Sequence, residues 1–199
     1  CKKYKSVAQT LSYLPHFVSM VVTAGIIKEF CMSDGLLNDI IVLFGGSRSA
    51  LLQRPELYRT IYIVSDIWQE VGWGSIIYLA ALAGIDQQLY EAAEIDGAGR
   101  FRRMISITIP CIKGTVMIMV IFAVAGILNN NFDQIYVLQN SFNLERSEVI
   151  DTYIYKIGIQ QLQFGMAAAV NITKSFFSLA LLLLANGIVS KLSDGYGLF

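Results

Sequence analysis

The sequence predicts an all-α chain folded as a polytopic transmembrane helical bundle. Three observations carry this: 55% of the 199 residues are hydrophobic against 15% charged, the mean hydropathy is +0.55, and four separate stretches are long and apolar enough to span a bilayer. Soluble domains carry about 25% charged residues, so the membrane is the better solvent for this composition. A span takes roughly 20 largely apolar residues, because every backbone amide in hydrocarbon must be bonded inside its own helix.

The first expected span covers residues 11–30. Residues 6–27 hold no charge with His16 neutral, and Pro15 sits near the start of the span, where a missing N–H is cheap. Residues 31–59, with Gly35, Gly45, Gly46 and Pro55, read as an irregular loop containing one short interfacial helix at 36–44. The second span, 60–85, carries Asp66 and Glu70 in its first half. Residues 86–110 form a compact, charged, helix-compatible connection. The third span covers 112–130, and the polar, aromatic-containing residues 131–165 are too long for a simple turn. The fourth span, 166–189, includes an unbroken apolar run at 179–184. All of this reads as one transmembrane domain, 1–199. The opening Cys1, Lys2, Lys3, Tyr4 and Lys5 have no signal-peptide pattern behind them, so the chain reads as an internal start with further sequence upstream.

The formal net charge is zero, which offers no basic field for nucleic acid. Cys1, Cys31 and Cys111 are odd in number and widely spaced, which suits free thiols. With the single His16 they make no metal-ligand cluster, and no nucleophile–base pair suggests an enzyme. Four spans place both ends on one side, with Arg100, Arg102, Arg103, Lys113, Lys191 and the N-terminal lysines. Lys28, Arg48, Arg54, Arg59, Arg146 and Lys156 fall opposite. The excess of basic residues points to the terminal side, and with it residues 86–110, as cytoplasmic.

Residues 86–110 carry the functional signal. Asp86 is a competent N-cap for a helix running to about Ile95, in which Leu89, Ala92 and Ala93 share one shallow face. Gly97 suits a left-handed residue ending that helix, a second helix follows over 98–107, and Pro110 fits the first turn of the next span. The order Glu91, Ala92, Ala93, Gly97, Ile107, Pro110 resembles the EAA motif of binding-protein-dependent importer permeases, with Asp96 and Ala98 flanking the glycine as in the sugar-transporting branch. Ile109 stands where that motif usually has Leu, and Gln87 where Pro often starts the helix. Other stretches resemble the polysaccharide and lipoprotein-operon type permeases of the carbohydrate-uptake group. They are Ser12 to Phe17; Trp68, Val71, Gly72 and Trp73; Ile76 to Leu82; Asp151 to Tyr153; and Gly195, Gly197, Leu198 and Phe199.

The resemblance implies the type I ABC importer permease fold, with four of the usual six spans present. It implies no catalytic residue and no cofactor in this chain, ATP being bound by a partner. Implied partners are a second homologous permease, two ATP-binding-cassette ATPase subunits, an extracytoplasmic sugar-binding protein and membrane lipid. Glu91, Ala92, Ala93, Asp96, Gly97 and Ala98 would form the coupling helix and its turn, seated in a groove of the ATPase.

Polar and aromatic groups at membrane depth are the candidates for a substrate pathway: Asp66, Trp68, Glu70, Trp73 and Tyr78 on the second span, Asn129, Asn130 and Asn131 after the third, and Asn171 and Lys174 on the fourth. The same residue types also serve as interfacial anchors and helix bridges. The competing reading is a subunit of an ion-coupled secondary transporter using Asp66 and Glu70. Such a carrier carries inverted repeats of spans, and none is visible in four spans.

Overall fold

The computed structural model describes residues 2–192; Cys1 and the closing motif at 195–199 lie outside the described residues. The described residues form helices and no strand. In chain order these are α1 (Lys2–Tyr13), a 3-10 turn (Leu14–Phe17), α2 (Met20–Phe30), α3 (Leu36–Leu43), a second 3-10 turn (Leu51–Gln53), α4 (Pro55–Ala83), α5 (Gln87–Ile95) and α6 (Arg100–Arg103). A π-helical segment (Met104–Thr108) leads into α7 (Ile109–Ala125). Then come α8 (Phe132–Leu138), α9 (Leu144–Ser147), α10 (Ile150–Tyr155), a second π segment (Lys156–Gln160) and α11 (Phe164–Leu192).

The chain divides into two compact units, Cys1–Trp73 with Asn129–Lys174 and Gly74–Leu128 with Ser175–Phe199. In the first, Ala24, Cys31, Leu51, Leu52, Tyr58 and Leu138 form a buried core, built where α2 packs against α8. The first expected span is not one straight helix. Ser6–Phe17 and Met20–Phe30 meet at a 98° bend, because the 3-10 turn contains Pro15 and both Val18 and Ser19 are extended (ψ 135° and 134°). The break frees the Val18 carbonyl, which accepts a 3.1 Å hydrogen bond from Gln69 Nε2 on α4.

The connection 31–59 contains the short helix expected at 36–44, as α3 (Leu36–Leu43), and a 3-10 turn at Leu51–Gln53. α3 ends before Gly45 (φ +83°), and the fully buried Asn38 staples the returning chain. Its amide donates to the Met32 and Ser49 carbonyls at 2.6 and 2.8 Å and accepts from Ser49 N at 2.9 Å. Likewise the 131–165 connection holds three short helices, and Asn143 Nδ2 donates to the Leu52 and Leu138 carbonyls. Helices of four to seven residues do not stand alone in water, and these side-chain bonds are what fix them.

In the second unit Ile121 on α7 is buried with Ala185 and Val189 on α11. The third expected span is shifted: one continuous helix runs Arg100–Ala125. The π segment widens the turn just before Pro110, whose ring and missing N–H would otherwise break the helix. Among the described residues, Arg100–Ala125 and Phe164–Lys191 are long and apolar enough to cross a membrane, and the bent pair is a third candidate as one broken span. α4, the second expected span, has 29 residues but carries Glu56, Arg59, Asp66 and Glu70, and does not reach that apolarity. In the apolar stretches of Arg100–Ala125 and Phe164–Lys191 only 6% and 22% is buried within the chain, so most of that hydrophobic surface faces surroundings outside it.

Candidate functional site

The 86–110 element lies within the second unit. The Asp86 carboxylate accepts a 2.9 Å hydrogen bond from Gln88 N, the bond of an N-cap. α5 closes in a Schellman turn: Ala98 N donates to the Ala93 carbonyl at 2.9 Å and Gly97 N to the Glu94 carbonyl at 3.0 Å, with Gly97 at φ +74°. The second alanine of the Glu91, Ala92, Ala93 triplet and the residue after the glycine are therefore the two ends of one backbone bond. Small side chains at both leave the turn flat.

Two side-chain ties brace this hairpin. Arg103 Nη1 donates to Glu94 Oε2 at 2.7 Å, and the Tyr90 and Thr108 hydroxyls are 2.8 Å apart, joining α5 to α6 and to the π segment. Glu91, Ala92 and Asp96 are exposed, and Ala93 and Ala98 half-buried. Ile95 is 87% exposed and Phe101 78%, and a Cβ on Gly97 would meet nothing within 4 Å. The element is thus a rigid, braced helix–turn–helix that presents an uncovered apolar surface beside a glycine with open space above it.

All the substrate-pathway candidates but Tyr78 lie in the first unit. In the first unit, Glu70 takes both of its oxygens to within 3.1 and 3.3 Å of His16 Nδ1, while the His16 ring stacks on Trp73 with centroids 4.4 Å apart and planes 4° from parallel. Both are therefore committed to holding the bend. Trp68 lines an apolar groove of about 500 Å³ with Val18, Ile26, Phe30, Leu37 and Val64, and Asp66 is half-buried on the same helix. Lys174 is ion-paired with Asp151 at 2.5 Å, both largely shielded. Asn129, Asn130 and Asn171 are exposed and Asn131 half-buried; in the second unit Tyr78 is half-buried.

The sequence reading did not anticipate His16 or Asp151 as partners, nor the aromatic trio Phe132, Tyr136 and Tyr155, whose rings lie 5.1–5.4 Å apart. Hydrogen bonding with Tyr136 pushes the Tyr155 phenol above its usual range. The signal available was the spacing of Phe132 and Tyr136, one helical turn apart. Nothing in the sequence places Tyr155 beside them.

Residues 4–194 match the family described as binding-protein-dependent transport system inner membrane component. The chain is 42% identical over 192 residues to the polygalacturonan/rhamnogalacturonan transport system permease protein YteP of Bacillus subtilis (strain 168), covering 96% of this chain and 60% of YteP. It is 41% identical to protein LplB of the same organism, covering 98% of this chain and 62% of LplB. The chain therefore spans 60 to 62% of the length of these curated relatives. A crystal structure of a bacterial ABC transporter that imports the acidic polysaccharide alginate contains a chain that superposes with a TM-score of 0.92 at 37% identity, covering 96% of this chain and 68% of that one. The alginate transporter solved with a periplasmic protein carrying alginate pentasaccharide gives a TM-score of 0.93 at 37% identity, covering 99% of this chain and 68% of that one.

Proposed function

This chain belongs to the binding-protein-dependent transport system inner membrane component family, and from that premise we propose that it is the membrane-spanning permease part of an ATP-driven importer of oligosaccharides. In this reading it supplies part of one half of the translocation pathway in a bacterial cell membrane. A second homologous permease supplies the other half. Two ATPase subunits bind and hydrolyse ATP on the cytoplasmic side, and an extracytoplasmic binding protein delivers the sugar.

The observation that carries the proposal is the 86–110 hairpin. Its turn is locked by the Ala98–Ala93 and Gly97–Glu94 bonds and braced by Arg103–Glu94 and Tyr90–Thr108. Ile95 and Phe101 are nevertheless left exposed. A connector that only joined two spans would bury or omit such side chains. A rigid knob with an apolar tip is what a partner's groove grips, and rigidity is what passes the partner's motion to α4 and α7. ATP-driven closure of the ATPase subunits then draws two such knobs together and turns the pathway outward. Asp66, Trp68 and Tyr78 on α4, Asn129 to Asn131 after α7 and Asn171 on α11 are the groups assigned to the pathway. Glu70, Trp73 and Lys174 act there through the partners they already hold.

Co-purification in detergent tests the assignment. An ATPase subunit encoded with this chain should be recovered with it, and sugar uptake into proteoliposomes should require ATP and the binding protein. Recovery of the chain alone, with uptake driven by an ion gradient, would replace it with the secondary-transporter reading.

A further inference from the structure

In the first unit a groove of about 540 Å³ lies between α8, the turn that follows it, and the second π segment, within the about 300–1,000 Å³ typical of ligand sites. Among the described residues its charged lining is two lysines, Lys28 and Lys156. Gln139, Asn140, Ser141 and Gln160 supply amides and a hydroxyl, and Tyr136 supplies an aromatic wall. The floor is fixed: Asn140 Nδ2 donates to the Leu52 carbonyl at 3.0 Å, and Gln139 Nε2 to Ser147 Oγ at 3.0 Å. Tyr136 is held by Phe132 and Tyr155, which continue into a neighbouring hollow of about 390 Å³ with Phe164. Lys156 also holds Glu148 at 2.7 Å in a partly exposed pair, and Glu148 does not line the groove; Lys28 makes no ion pair among the described residues.

From this combination we infer that the groove is a subsite for anionic saccharide, a uronate-containing oligosaccharide, on its way into the pathway. Aromatic faces take the C–H faces of sugar rings, fixed amides take hydroxyls, and the two ammonium groups take carboxylates. In the topology proposed above both lysines lie on the extracytoplasmic side, where the bias against lysine removes any call for them in orienting the chain. The inference rests on the oligosaccharide-importer reading and adds the charge class of its substrate.

The test uses the complete importer with its binding protein in proteoliposomes. The probes are trigalacturonate and its fully methyl-esterified, uncharged form. In wild type, uptake efficiency should favour the acid. Lys28→Gln with Lys156→Gln should lower the ratio of acid to ester by at least about tenfold, the smallest effect of losing even one charge-assisted contact. Lys156→Arg should restore most of the ratio. An unchanged ratio in the double variant overturns the inference while leaving the importer reading intact. So does an equal loss for both probes, which would assign the lysines to docking the binding protein or to anionic lipid. Transport of neither probe by wild type overturns the inference alone, because the importer reading is decided separately by ATPase co-purification and ATP-dependent uptake.

Discussion

A Cβ atom built on Gly72 would lie 1.9 Å from the carbonyl oxygen of Ser12. α1 and α4 therefore touch backbone to backbone, immediately before the 98° bend, and the bend itself is held by Gln69, Glu70 and Trp73 from the same stretch of α4. Gly74, two residues on, has nothing within 4 Å. Gly72→Ala should cost about 1–3 kcal/mol by overpacking, and Gly74→Ala should gain about 0.5–1 kcal/mol from lost backbone freedom in the unfolded chain. Thermal unfolding of the purified complex separates the two; equal effects would deny the close contact.

That contact also explains what the sequence hid. Residues 6–27 hold no charge with His16 neutral, and Pro15 is tolerated near a helix start, so the local sequence does not announce extended residues at Val18 and Ser19. The contacts that hold the break come from distant residues, Gln69 bonding to Val18 and Gly72 packing on Ser12. The Asp86 cap, the end of α5 at Ile95 and the left-handed Gly97 were legible because each is decided by neighbours within five residues. The small helices of 131–165 were not, since Asn140 and Asn143 fix them by bonding to Leu52 in a different connection. Lys174 stood out as a cation at membrane depth, but its partner Asp151 is 23 residues upstream, a pairing that no helical spacing suggests.

Cys31 is 1% exposed, and burial pushes its thiol up to about 11. The thiolate is the species that reacts with maleimides, and for a raised pKa it stays scarce until the pH approaches that value. At pH 8 native Cys31 should remain unmodified while exposed Cys111 is alkylated, and Cys31 should react after denaturation. Peptide mapping reads both sites, and modification of native Cys31 at the rate of an unfolded control would contradict the packed core around it.

The two braces of the 86–110 hairpin should differ in weight. Glu94 is 72% exposed in its pair with Arg103, so Glu94→Gln should cost under about 1 kcal/mol. The Tyr90–Thr108 bond is part-buried, and Tyr90→Phe leaves the Thr108 hydroxyl short of a partner, at about 1–3 kcal/mol. Protease sensitivity within 86–110 should rise more for Tyr90→Phe. The reverse order would place the brace elsewhere.

A cysteine introduced at Gln88, exposed at the start of α5, should be labelled by membrane-impermeant reagents in inside-out vesicles and not in intact cells. Labelling from outside would invert the proposed topology and remove the 86–110 element from the reach of any cytoplasmic ATPase.

The most direct test of coupling is at Gly97. At φ +74° a branched L-residue costs about 1–2 kcal/mol of backbone strain, whereas asparagine tolerates this region. Since the Cβ position is otherwise open, strain alone separates the two variants within the chain, and any further loss reflects the partner. Binding-protein-stimulated ATP hydrolysis by the reconstituted complex should collapse for Gly97→Val, with reduced recovery of the ATPase subunit, and persist in large part for Gly97→Asn. Full stimulation and full ATPase recovery with Gly97→Val would show that residues 86–110 merely connect two helices.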